Sequence, residues 1–303
     1  MPAPIVVLSG GTGGAKLARG MLDVAGADLV VVANTGDDVE IHGGHVSPDP
    51  DLVTFWLADS VDERGWGLRD DTFAVMDGLR ALGEDVWFNL GDRDLAICLA
   101  RARRLAGGAT LTAAADDLRR ALGVPARVLP MCDGRVRTWI KARGEWHGLQ
   151  EWLIRERASG PVEDVEFRGA EEAEPTGAVL EALASARAIL VGPSNPVISI
   201  GPMLAIPGLQ GALRSCPGPV VAVSPLVGGR SVKGPTEELL AWADRPLSSE
   251  GIAGCYDALL DGLVADERAD SLPTLETDVS MPDAGARRRL AQEALDFALA
   301  LAG

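Results

Sequence analysis

The stretch Ile5-Val6-Val7-Leu8-Ser9-Gly10-Gly11-Thr12-Gly13-Gly14-Ala15-Lys16 constrains the fold more than any other part of the chain. Four apolar residues in a row read as a strand buried on both faces, and the Ser/Gly/Thr run after them reads as a tight turn. From Ala15 to about Ala25, Ala15, Leu17, Ala18, Met21, Leu22 and Ala25 recur at three- and four-residue spacings, the pattern of a helix packing back on its strand. A strand, a glycine turn and a helix in that order aim backbone N–H groups and the positive end of a helix dipole at one point, which suits a phosphate or diphosphate.

Two better-known loops do not fit. A Walker loop ends in Gly-Lys-Ser/Thr, whereas Lys16 follows Ala15 and has no Ser or Thr behind it. The dinucleotide fingerprint begins at Gly11-Thr12-Gly13, but its third glycine position falls on Lys16, and the next apolar run, Leu29–Ala33, ends in Asn34 rather than a ribose-binding acid. An ATPase loop and nicotinamide binding are therefore both disfavoured.

At 303 residues the chain suits one large α/β domain or a domain with an inserted lobe. No apolar run reaches the ~18 residues needed to cross a bilayer, and no basic, apolar leader opens the sequence, so a cytoplasmic protein without membrane partners is expected. Cys98, Cys132, Cys216 and Cys255 follow no paired metal spacing and read as reduced thiols. A formal charge of −16 argues against nucleic acid as a partner. The basic runs Arg101–Arg104 and Arg287–Arg289 read as solvated helix faces.

Apolar, β-branched runs alternate with helical patterns along the chain. Leu29–Ala33, Val86–Phe88, Ala188–Val191 and Val220–Val223 are the clearest further strands, and the alternation predicts a Rossmann-like, doubly wound parallel sheet with helices on both faces. Residues 126–169 differ: Trp139, Trp146 and Trp152 and short alternating pieces such as Arg137–Lys141 predict a small antiparallel insertion or lid between core segments 1–125 and 170–303. A closing helix is expected from Asp283 to Ala302.

Three further loops follow strands. Asn34-Thr35-Gly36-Asp37-Asp38 leads through His42 and His45 into Ser47-Pro48-Asp49-Pro50-Asp51. Carboxylates beside a phosphate loop repel the ligand unless a divalent cation bridges them, so Mg²⁺ on oxygen ligands accounts for the pattern, with Asp37 the first candidate. Asp49 and Asp51 serve equally well as helix-cap acids, and the histidines as loop hydrogen-bonders. In Gly91-Asp92-Arg93-Asp94, Arg93 is either caged between acids or a clamp for a ligand. Gly192-Pro193-Ser194-Asn195-Pro196 and Ser224–Pro235 supply Ser, Asn and Lys on fixed turns, suited to a base, ribose and phosphate, with Lys233 a candidate second phosphate charge.

Ser9–Gly14, Asn34–Asp38, Ser47–Asp51, Arg64-Gly65-Trp66-Gly67-Leu68, Gly91–Asp94, Pro193–Pro202 and Ser224–Gly234, in order over positions 5 to 235, resemble the 2-phospho-L-lactate transferase family of deazaflavin coenzyme biosynthesis. The resemblance implies a transfer in the making of coenzyme F-420. A guanosine-diphosphate-activated lactyl or enolpyruvyl donor gives its phospho-acid portion to the ribityl hydroxyl of 8-hydroxy-5-deazariboflavin, and GMP leaves. It further implies that the guanosine diphosphate part meets Gly10, Gly11, Thr12, Gly13, Gly14, Lys16, Ser194, Asn195, Ser224 and Gly234. Mg²⁺ falls to Asp37 with Asp38, and the acceptor to Asp49 or Asp51 with Arg93. In the working scheme Lys233 joins the glycine run in stabilising the diphosphate, and Asp49 or Asp51 takes the hydroxyl proton. Two other classes remain as alternatives: a nucleotide-sugar-binding regulator without turnover, which has a similar opening, and a nicotinamide oxidoreductase on the same fold, which the broken fingerprint disfavours. A homodimer is the base-rate expectation for a soluble enzyme.

Overall fold

The computed structural model of the chain describes residues 3–232 and 234–303. Runs without polar alternation become strands that no water reaches: Ile5–Ser9 (β1) and Leu29–Ala33 (β2) are buried at every position. They sit near the middle of a seven-stranded sheet in the order Thr274–Glu276, Gly262–Ala265, Val220–Val223, Ala188–Val191, β1, β2, Arg127–Pro130. Every pairing in it is parallel. In chain order the sequence across the sheet is third, second, first, then fourth to seventh, so the winding reverses between β1 and Ala188–Val191. Loops diverge there at the strand ends, which is where ligands of this architecture bind. The expected α/β, doubly wound class is the one observed.

Strand periodicity divides the core in two. Ile5, Val7, Leu29 and Val31 face the helix Gly11–Ala25 (α1) and the closing helix Ala284–Leu301, through Leu17, Met21, Leu290 and Leu295. Val6, Leu8, Val30 and Val32 face the opposite layer, which includes Val179, Leu183, Leu209 and Ile252. Asp283 caps the closing helix, accepting the Ala286 N–H at 2.8 Å.

Three expectations need correction. The glycine run is no free turn: α1 begins at Gly11, and only Gly10 remains outside it in an extended conformation. Val86–Phe88 forms no strand; Val86 and Phe88 instead pack with Met76, Leu95 and Cys98 in a local cluster. That cluster belongs to a mainly helical excursion between β2 and Arg127–Pro130, which carries the hairpin Val39–Ile41/Gly44–Val46 and the helices Pro48–Leu57 (α2), Ala74–Ala81, Asp92–Ala106 and Leu111–Ala121. Finally, Arg127–Pro130 pairs with β2 in the central sheet, so the antiparallel lobe starts beyond residue 126. Its strands Glu145–Gly148, Arg137–Ala142 and Val162–Arg168 form a separate sheet in that order. The helix Leu149–Ile154 is tucked against it, and Ile140, Leu149 and Trp152 pack on Val197, Ile198 and Leu239 of the main domain.

Candidate active site

Two loops meet where the winding reverses, and glycine is what lets them touch. A Cβ on Gly13 would stand 2.0 Å from the Pro193 carbonyl oxygen, and one on Gly14 would stand 2.5 Å from Ser9 Oγ and 2.7 Å from Ser194 Oγ. Ser194 completes the joint: its hydroxyl donates to the Gly10 carbonyl at 2.7 Å and accepts the Gly10 N–H at 3.1 Å. Gly11 differs, with φ +62° and no atom within 4 Å of where its Cβ would be. The glycines thus serve loop-on-loop packing first, and an open face survives only at Gly11.

In front of this joint lies a cavity of about 620 Å³. Gly10 lines it from just before α1, Gly11, Thr12, Gly13 and Lys16 from α1 itself, Asp37 from the loop after β2, Asp49 from the first turn of α2, and Ser194, Asn195, Ser224 and Gly234 from the second half of the chain. First-turn N–H groups of a helix lack partners inside it, so the start of α1 offers this cavity donors and a partial positive charge. Gly14, Asp38, Asp51 and Arg93 are not among its walls. Lys233 lies outside the described residues.

The cavity acids form a strained pair. Asp49 accepts the Gly11 N–H at 2.5 Å and the Asn34 Nδ2 donor at 3.0 Å. The same Asn34 nitrogen stands 3.5 Å from Asp37, whose other oxygen accepts from Gln150 of the lobe at 3.2 Å. Burial pushes the Asp37 carboxyl well above the usual carboxylate range, and the charges of Asp49 and Asp38 add to it. Burial likewise pushes Asp49 up to about 6, against the lowering by its bonds to Gly11 and Asn34. Asp37, buried on the cavity wall beside a second carboxylate and with no salt bridge among the described residues, is a hard oxygen donor of the kind that fits Mg²⁺, although the Arg137 charge partly offsets the rise in its pKa.

Asp38 and Asp51 are engaged elsewhere. Asp38 accepts from Ser47 Oγ at 2.8 Å and bonds His45 Nε2 at 2.9 Å, so His45 is a hydrogen-bonder, though from the hairpin strand Gly44–Val46 rather than from a loop. Asp51 pairs with Arg101, which is 4% exposed and also donates to the His45 carbonyl at 2.8 Å. Arg101 is therefore no solvated residue, although Arg103 and Arg104 of the same run are exposed. Among the described residues the second Asp51 oxygen has no hydrogen-bond partner, and Asp94 and Cys98 share its cluster. Burial, reinforced by the Asp51 charge, pushes Asp94 up to about 7.

Other expected ligand residues carry structural bonds while lining the cavity. The Asn195 side-chain oxygen Oδ1 accepts the N–H groups of Val197 and Ile198 at 2.9 and 3.1 Å, capping the wide helical turn Pro196–Ile200. Ser224 Oγ accepts the Leu226 N–H at 3.2 Å, and Lys16 Nζ donates to the Met281 carbonyl at 3.3 Å. Arg93 is exposed and donates to the Arg69 carbonyl at 3.0 Å, while Asp71 accepts the Arg93 and Asp94 N–H groups. Gly91–Asp94 is therefore the capped start of a helix rather than a loop.

Sequence reasoning missed Gln150, which donates to the cavity acid Asp37, and the cavity walls Leu149, Leu153, Ile198 and Val279–Pro282. The only signal was indirect: the Trp-containing lobe read as a lid, and its helix supplies three of these residues.

The chain matches the model of the family described as "2-phospho-L-lactate transferase CofD" over residues 5–290. It belongs to the CofD family. Among curated CofD-type relatives, the phosphoenolpyruvate transferase of Streptomyces coelicolor is 39% identical over 311 residues, covering 97% of this chain and 98% of its own. The 2-phospho-L-lactate transferase of Methanosarcina mazei is 39% identical over 267 residues, covering 87% of each chain. A solved structure of a UPF0052 family protein from Bacillus halodurans superposes with TM-score 0.65 at 16% identity, covering 97% of this chain and 99% of that one, and shows the shared fold. CofD membership supports the transferase class inferred from the motifs and sets the nicotinamide oxidoreductase reading aside. No helix among the described residues is long and apolar enough to cross a membrane.

Proposed function

We propose that this CofD-family chain moves a phospho-lactyl or phospho-enolpyruvyl group from a guanosine-diphosphate-activated donor to the ribityl hydroxyl of 8-hydroxy-5-deazariboflavin, a step of coenzyme F-420 biosynthesis, with GMP as the leaving product. The observation that carries this reading is the placement of a buried carboxylate pair, Asp37 and Asp49, on the wall of the cavity that the N-terminal turn of α1 also lines, with Asp49 bonded to that turn at Gly11. Attack of an alcohol on a diphosphate asks the protein for in-line placement and charge neutralisation more than for covalent chemistry.

The residues divide the work. The N–H groups at the start of α1 stabilise the diphosphate oxygens, and the apolar walls Val227, Val279 and Met281 hold the flat base. Asp37 would hold Mg²⁺, which when bound to a carboxylate and substrate phosphates neutralises charge on the leaving phosphate. Gln150 holds the Asp37 carboxylate from the lobe, so the packing of the lobe on the main domain also positions that acid. Asp49, with its carboxyl raised to about 6 and anchored on Gly11, is the cavity group suited to accept the hydroxyl proton. Asp51, engaged by Arg101, has no such role in this scheme.

The test is mass spectrometry of the purified protein with Mg²⁺, 8-hydroxy-5-deazariboflavin and lactyl, enolpyruvyl and glyceryl guanosine-diphosphate donors, with and without EDTA. A Mg²⁺-dependent phosphodiester with matching GMP is expected, and the donor consumed names the acid. No product from any donor, with a nucleotide sugar raising the melting temperature, would replace the transferase by a non-catalytic sensor.

A further inference from the structure

Asp37 has a cation beside it that is bound to a different acid. Arg137 opens the lobe strand Arg137–Ala142, and the next residue, Thr138, donates its N–H to the Gly36 carbonyl at 2.6 Å, so this end of the lobe lies alongside the loop that carries Asp37. Burial and the charges of Asp49 and Asp38 push the Asp37 carboxyl up, and the Arg137 charge pulls against them. The guanidinium itself is engaged on the hairpin that follows Asp38. Its Nη2 donates to Glu40 Oε1 at 2.6 Å, and its Nη1 donates to the Val136 carbonyl at 2.8 Å. Glu40 stands in the middle of the hairpin strand Val39–Ile41.

Glu40 holds two arginines, and they differ in what they can do to the cavity. Arg135 Nη2 donates to the other Glu40 oxygen at 3.0 Å, but its side chain is 72% exposed, so water and salt screen its charge. The Arg137 side chain is 14% exposed, and its charge acts through protein. His45 Nδ1, 3.6 Å from Glu40 Oε1, closes the remaining side of the carboxylate. Arg137 is also incompletely satisfied: its Nε is buried and has no hydrogen-bond partner among the described residues. A guanidinium with an unused buried donor gains by laying its planar fork on a further carboxylate. Asp37, held by the amides of Asn34 and Gln150, is the buried carboxylate on that side.

We propose that Glu40 is a positioning residue for the cation site: it holds the Arg137 guanidinium away from Asp37 and so leaves that carboxylate for a divalent cation; this rests on the metal role given to Asp37 above. Without Glu40, Arg137 turns onto Asp37, and the cavity acid becomes balanced by the protein itself, as Asp51 is by Arg101. A cation then has to displace a guanidinium as well as water, and a buried pair once made resists losing one partner.

Two measurements on the whole chain test this. The first is the melting temperature of metal-free protein. In the wild-type background Asp37→Asn should hold or raise it, because a repelled charge is removed. In the Glu40→Ala background the same substitution should lower it, because there it breaks an ion pair. A merely structural role for Glu40 would shift the baseline and leave that sign as it was. The second is Mn²⁺ binding in the presence of GDP. Glu40→Ala is expected to bind the ion at least tenfold more weakly than wild type, Glu40→Ala/Arg137→Met within a few-fold of wild type, and Glu40→Ala/Arg135→Met as weakly as Glu40→Ala. Both double variants carry the wild-type net charge, so a moved guanidinium is separated from a change in overall charge. Undiminished Mn²⁺ affinity in Glu40→Ala, equal rescue by the two double variants, or an unreversed sign in the melting temperature would each overturn the role of Glu40 alone. A wild-type chain that binds no Mn²⁺, or Asp37→Asn that binds it as well as wild type, would overturn both this role and the metal reading beneath it.

Discussion

Asp49 and Asp51 leave the same turn of α2, two residues and so about 200° apart around the helix. Both are buried. Asp49 meets a backbone N–H, an amide and an open cavity, and no salt-bridge partner among the described residues. Asp51 meets the guanidinium of Arg101 in a closed cluster with Asp94 and Cys98. One helical turn thus carries an acid whose charge is left for a ligand to balance and an acid whose charge the protein balances itself. The difference teaches that burial alone does not mark a catalytic carboxylate: its counter-charge does, and where the protein supplies none the site is prepared for one.

The largest effect should come from breaking the self-balanced side. Arg101→Met strands the Asp51 carboxylate in the interior, a change that costs about 3–5 kcal/mol in comparable buried pairs, and urea unfolding should show it. Adding Asp51→Leu to that variant should recover most of the loss, since both buried polar groups are then gone. On the cavity side the signs reverse. Asp37→Asn removes a repelled charge, so the melting temperature should hold or rise, while turnover in the transfer assay falls by about 10²–10³, a typical range for losing one electrostatic contributor. If Arg101→Met left stability untouched, or Asp37→Asn unfolded the protein, the division between the two acids would be wrong.

A smaller effect sharpens the same contrast through pH. Asp94 is pushed up to about 7, above its unfolded value near 3.8, so the folded protein keeps a proton there that the unfolded chain has lost. Stability from this group is present at low pH and is lost as pH rises from about 4 through 7. Asp94→Asn should flatten that slope, measured as melting temperature against pH, while leaving cavity chemistry unchanged.

The central sheet was legible because Ile5–Leu8, Leu29–Ala33, Ala188–Val191 and Val220–Val223 are unbroken apolar runs, and only strands covered on both faces need them. Val86–Phe88 has the same look for a different reason: it fills a cluster among helices, and local composition cannot tell a helix partner from a sheet partner. The start of α1 was misplaced because glycines argue for a turn, whereas here they permit contact with Pro193 and Ser194, far away in the chain. In the site, the types of residue were readable and their division of labour was not. Arg101 stands 50 positions from Asp51 and Gln150 stands 113 from Asp37, so the facts that separate one acid from the other exist only after folding.

The most direct measurement of the central claim is Mn²⁺ binding in the presence of GDP, followed by the electron paramagnetic resonance signal of free Mn²⁺, in the wild-type chain and in Asp37→Asn, Asp49→Asn and Asp51→Asn. The account predicts that Asp37→Asn weakens the cation at least tenfold, that Asp49→Asn stays within a few-fold of wild type, and that Asp51→Asn leaves binding unchanged. Undiminished binding in Asp37→Asn, or a loss in Asp51→Asn as large as in Asp37→Asn, would contradict it.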